Sequence, residues 1–92
     1  MKKDPMREEA VFKRYGKKVE ILSSNKGNDK GELIEGTCQF KTEKGNIYTL
    51  TEYLKDGLTD IAILKYADKE RKYKDYLRAE VSLMDIISSE DD

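Results

Sequence analysis

Hydrophobic and polar positions alternate most cleanly between Gly31 and Leu50. Ile34, Cys38 and Phe40 share one parity, and Thr37, Gln39 and Lys41 share the other. A period of two is the signature of a strand buried on one side. Glu43-Lys44-Gly45-Asn46 supplies turn chemistry, because Gly and Asn adopt positive φ at little cost. Ile47-Tyr48-Thr49-Leu50-Thr51, rich in β-branched and aromatic residues, makes a return strand. The stretch therefore predicts a β-hairpin whose apolar face the rest of the chain must cover.

The flanking pattern supplies the cover. From Pro5, MREEAVFKRYG predicts a short helix ending near Gly16, with Glu8 and Glu9 early and Lys13 and Arg14 late, an order that suits the helix dipole. Lys17 to Ser23 predicts a strand with Val19 and Ile21 on one face, and Ser24 to Lys30 a polar loop. Asp56-Gly57 marks a tight turn, and the apolar run Asp60 to Tyr66 a buried strand. Ala67 to Asp75 is a charged connector, either a solvated hairpin tip or an exposed helical turn. Tyr76 to Leu83 alternates again, with Leu77, Ala79, Val81 and Leu83 on one side, and predicts a last long strand.

The expected fold is thus mainly β with an α+β margin: a short N-terminal helix followed by a five-stranded, highly twisted antiparallel sheet or small barrel. Residues 1–92 form a single domain, with 1–4 and the acidic end 88–92 disordered. Val19, Ile21, Ile34, Phe40, Ile61 and Ile63 are expected to be buried together.

Composition narrows the chemistry. Charged residues make up 40% of the chain, and Lys+Arg 18 against Asp+Glu 19 leave a formal net charge of -1. No global basic field draws in a polyanion, so any nucleic-acid site must be local. The chain has no His, which removes the commonest general base and the commonest zinc ligand. Its single Cys, Cys38, falls at an inward strand position with no His to activate it. The expectation is a non-enzymatic, metal-free and cofactor-free protein. A lone thiol, no signal peptide and no long apolar run predict a soluble, cytoplasmic chain with no membrane contact.

Aromatic and basic residues supply the candidate contacts. Two loops closed by strands, Glu43 to Asn46 and Ala67 to Tyr76, are richest in polar and aromatic side chains, and loops on a rigid sheet are where binding residues gather. Tyr and Arg most often dominate binding energy. The candidate binding residues are Glu43, Asn46, Arg71, Tyr73, Tyr76 and Arg78.

The hairpin also resembles the first Sm motif of Sm-like RNA-binding proteins of the Hfq type. In that motif four residues separate a turn glycine from a second glycine, and an asparagine closes the next loop ten residues later. Gly31, Gly36 and Asn46 stand at that spacing, with Glu43 where the family has Asp; Leu77-Arg78-Ala79 distantly echoes the Arg-Gly of the second motif. The resemblance implies a small barrel that assembles as a ring and binds single-stranded RNA, with Asn46 reading a base edge and Arg78 neutralising phosphate. A homo-oligomer follows from it. The alternative is a protein-binding module, of the kind phages and mobile elements encode as inhibitors, adaptors or virion components, that occupies a partner's surface.

Overall fold

The computed structural model describes residues 5–29, 32–55 and 58–90, and side chains within them except at 23–29, 32–35 and 58–59. Gly31 and the Asp56-Gly57 turn lie outside the described residues. Among the described residues two helices and five strands follow in the order α1 (Pro5–Tyr15), β1 (Val19–Asp29), β2 (Glu32–Thr42), β3 (Ile47–Lys55), β4 (Leu58–Tyr66), β5 (Lys69–Tyr73) and α2 (Tyr76–Glu90). The strands form one antiparallel sheet in the order β1-β2-β3-β4-β5, each beside its neighbours in sequence.

The hairpin is as its pattern predicts. Phe40 pairs with Tyr48 and Cys38 with Leu50 across β2 and β3. Between them the Gly45 amide donates to the Thr42 carbonyl at 2.9 Å, and the Thr42 amide to the Asn46 carbonyl at 3.0 Å. Gly45 carries a φ of 89°, the left-handed position that ends a three-residue hairpin loop. α1 ends as its sequence predicts: Gly16 has a φ of 72°, and its amide reaches back to the Phe12 carbonyl at 2.8 Å.

Four expectations are corrected. Ser24 to Asp29 is not a loop but continues β1, paired with β2 through two register shifts that absorb its irregular sequence. The charged connector holds a strand: after an Ala67-Asp68 turn, Lys69–Tyr73 runs along β4 at the sheet edge, where charged side chains remain in water. Tyr76 to Leu83 is helix rather than strand, and Ser88–Glu90, expected to be disordered, completes it. Its buried residues are Ala79, Glu80, Leu83, Met84 and Ile87, a helical spacing that the short alternation of Leu77, Ala79, Val81 and Leu83 concealed. Asp75 starts this helix, its Oδ1 accepting from the Arg78 amide at 2.8 Å.

The fourth correction is parity on β4. Ala62 and Leu64 are fully buried, whereas Ile61 and Ile63 face the other side and are only partly covered. An apolar run carries no alternation from which to read its inward face, and the pairing of Leu64 with buried Leu50 decides it. Val19, Ile21 and Phe40 are buried as expected; the Ile34 side chain lies outside the described ones. The core therefore lies between one sheet face and the helices. Val11 of α1 and the inward residues of α2 close over Ile21, Phe40, Leu50 and Leu64. Burying a Leu or Phe side chain contributes about 1.5–3 kcal/mol, which is why both helices are held on this face.

Candidate binding surface

Polar contacts lock the helices to the sheet and to each other. The Glu80 carboxylate of α2, only 4% exposed, accepts from Arg14 Nη1 at 2.8 Å and from the Tyr15 hydroxyl at 2.8 Å. Burial, with the hydrogen bond to Glu80, holds the Tyr15 phenol above its ordinary value. Arg7 Nη1 donates to the Tyr76 hydroxyl at 3.0 Å, and its guanidinium stands 5.9 Å from the Tyr76 ring centre. Burial, then the neighbouring Cys38 thiol, pushes the Tyr76 phenol up. Glu8 Oε2 accepts from the Ile21 amide at 2.8 Å, tying α1 to β1.

The far end of α2 is anchored as well. Tyr48 donates to Glu90, and its phenol is raised by burial and by that carboxylate. Burial alone would raise Glu90, but hydrogen bonds from Tyr48, Asn46 and Thr42, with Lys44 nearby, outweigh it and hold the carboxyl below its ordinary value. Beside this anchor a cleft of about 280 Å3 is lined by Phe12, Lys17, Lys18, Lys44, Glu43 and Glu90, among others. Phe12 is 48% exposed there.

The six candidate residues divide between these places. Glu43 and Asn46 are exposed on the β2–β3 turn, and the Asn46 amide donates to Thr42 Oγ1 at 3.3 Å. Tyr73 and Tyr76 are partly buried and committed inward; the Tyr73 hydroxyl lies 2.6 Å from Ser82 Oγ. Arg71 is exposed on β5. Arg78 is exposed on α2, its Nε 3.6 Å from an Asp75 carboxylate oxygen. The candidates therefore do not form one site. Glu43 and Asn46 stand at the turn beside the C-terminal end of α2, whereas Tyr76 and Arg78 open that helix.

The alternation of the hairpin did not point to what lies on the opposite face of the sheet. Because α1 and α2 cover one face, Thr49, Thr51, Tyr53, Ile61 and Ile63 line the other. Tyr53 pairs with Ile61, and Thr51 with Ile63. A groove of about 380 Å3 runs here, lined by Tyr53, Leu54, Lys55, Asp60, Ile61, Ile63 and Lys72. Its apolar residues are adjacent across the β3–β4 ladder, and Lys65 and Lys72 lie on the same side. A β-branched and aromatic floor bordered by long cationic side chains suits a macromolecular contact. Glu80 and Glu90 were equally unmarked in the sequence. Glu80 could have been found as a carboxylate on the apolar side of a helix, once the period of Tyr76–Glu90 was read as helical.

Among the described residues no three His, Cys, Asp or Glu side chains are grouped to hold a metal ion, and no helix is long and apolar enough to cross a membrane. Cys38 is a buried thiol that is not joined in a disulfide. No protein-family model, curated protein or solved structure matches the chain.

Proposed function

We propose that the protein is a non-enzymatic binding module that docks another protein on the uncovered face of its sheet. One observation carries this reading. The helices are confined to one face, and the other presents Tyr53, Ile61 and Ile63 side by side with Lys65 and Lys72 around them. Partial apolar cover bordered by charge is the make-up of a protein contact. Base stacking would call for free aromatics, and most tyrosines are engaged elsewhere. Tyr15, Tyr48, Tyr73 and Tyr76 hydrogen-bond through their hydroxyls, and Tyr66 packs on the core with Tyr48 at 5.4 Å.

Phe12 supports a second reading. It stands exposed among Lys17, Lys18 and Lys44, near Asn46 of the hairpin that resembles the first Sm motif. An aromatic ring among cations is a stacking platform for single-stranded RNA, which an Sm-like ring would use. Photocrosslinking separates the two readings. A photoreactive residue at Thr49, on the open face, should yield protease-sensitive adducts in extract from the native source, whereas one at Glu9 on α1 should not. Adducts sensitive to ribonuclease, together with a hexamer or heptamer by light scattering, would replace the protein reading with the RNA one.

A further inference from the structure

The sheet has two edges, and among the described residues a side chain of the protein takes an outward backbone group on β1 but none on β5. On β1 the outward amide of Ile21 is taken by the Glu8 carboxylate at 2.8 Å. On β5 the two-residue Ala67-Asp68 turn makes Tyr66 and Lys69 a hydrogen-bonded pair; by alternation, Arg71 and Tyr73 also bond to β4. The amides and carbonyls of Glu70 and Lys72 then point away from the sheet. Among the described residues no side chain of the protein is bonded to them. An edge with unpaired backbone groups is a template for another strand.

The charge on this edge is one-sided. From Lys69 to Lys74 there are four cations, Lys69, Arg71, Lys72 and Lys74, against the single carboxylate of Glu70, and all five side chains are exposed. Lys69 and Arg71 share the helix side of the sheet with Tyr66 and Leu64, their partners on β4. Lys72 lies beside Ile63 on the open face and lines the groove there. A nucleic acid could answer the charge but has no backbone amides to complete the ladder. An extended peptide answers both.

We propose that the edge of β5 receives an extended acidic segment of a partner protein as an additional strand, its carboxylates facing Lys69 and Arg71 and its apolar side chains lying along the aliphatic stem of Lys72 towards the groove on the open face. This rests on the reading of the chain as a protein-binding module and specifies the partner's chemistry. Binding of this kind draws affinity from main-chain hydrogen bonds and specificity from alternate side chains.

The test uses a short capped peptide alternating glutamate and valine, with a lysine–valine peptide as control, titrated by fluorescence anisotropy and by amide hydrogen exchange. The acidic peptide should bind saturably and protect the Glu70 and Lys72 amides. Glu70→Pro removes an outward amide that the β4 ladder does not use, so it should lower affinity at least tenfold at an unchanged melting temperature. If that variant does not fold, the exposed double change Arg71→Glu with Lys72→Glu should transfer preference to the lysine peptide. Equal binding of both peptides, absence of saturable binding, binding unaffected by these changes, or an oligonucleotide that displaces the peptide without protecting either amide would each overturn the proposal. Protein adducts at Thr49 alongside failure of the acidic peptide would leave the docking face standing and remove the β5 edge alone.

Discussion

The buried carboxylate of Glu80 allows a test in which the conservative substitution is the damaging one. Glu80 is 4% exposed and takes two donors at 2.8 Å, one from Arg14 and one from Tyr15. Both donors meet one oxygen, Oε2, so Glu80→Gln keeps the shape and both bonds only by leaving its NH2 buried where Oε1 lies, and it removes the charge that pairs with Arg14. A buried polar group left without a partner costs about 1–3 kcal/mol, and the lost charge weakens both bonds. Glu80→Met removes the polar group altogether. Arg14, 55% exposed, can then turn to water, and replacing a buried ionic group by an apolar one of similar volume is often nearly neutral. The expected order in urea denaturation followed by circular dichroism is therefore Glu80→Gln destabilised by about 2 kcal/mol and Glu80→Met by less than about 1 kcal/mol. Tyr15→Phe, which removes one hydrogen bond to a charged acceptor, should cost about 1.5–3 kcal/mol alone and close to nothing in the Glu80→Met background. If Glu80→Met proves the more destabilising of the two by over about 1 kcal/mol, the carboxylate stabilises the fold outright and the reasoning is wrong.

Other consequences are equally direct. Leu64→Ala should cost about 2–5 kcal/mol in urea denaturation, and Ile63→Ala, on the uncovered face, clearly less; the reverse order would invert the parity assigned to β4. Tyr15, Tyr48 and Tyr76 are all held above the ordinary phenol value of 10.0, so the unfolded chain loses these protons first. The melting temperature should thus hold below about pH 10 and fall above it, less steeply in Tyr48→Phe. Glu90 is lowered from 4.5, so its contribution should be present above that pH and fade as pH drops through it, and Glu90→Gln should flatten the acid limb of the melting profile. Ala67 has a φ of 49°, where a Cβ is strained; Ala67→Gly should raise stability by about 1 kcal/mol by thermal melting.

What could be read in advance follows from where local pattern and tertiary context agree. α1, the hairpin turn and the inward faces of β1 and β2 were legible because Gly16, Gly45 and the alternation of Cys38 and Phe40 act within a few residues. β5 was hidden because Lys69–Tyr73 has no apolar face of its own and is a strand only through its pairing with β4. α2 was misread because Leu77, Ala79, Val81 and Leu83 alternate by coincidence, while Leu77 and Val81 are 59% and 43% exposed on the helix's outer side. The candidate site was legible only in part. Arg71 lies exposed on β5, whereas the Tyr73 and Tyr76 hydroxyls are bonded within the fold to Ser82 and Arg7, and a tyrosine suits either place equally well from sequence.

The order in which the elements leave the ribosome has its own consequence. Every strand pairs with the one just made, so the sheet can zip up hairpin by hairpin, with short loops and little entropy of closure. The helix that covers β3 and β4 is made after all five of these strands. Until it arrives, Leu50 and Leu64 sit on a nearly finished sheet with one of its two lids missing, and that interval is when the nascent protein has most need of shelter.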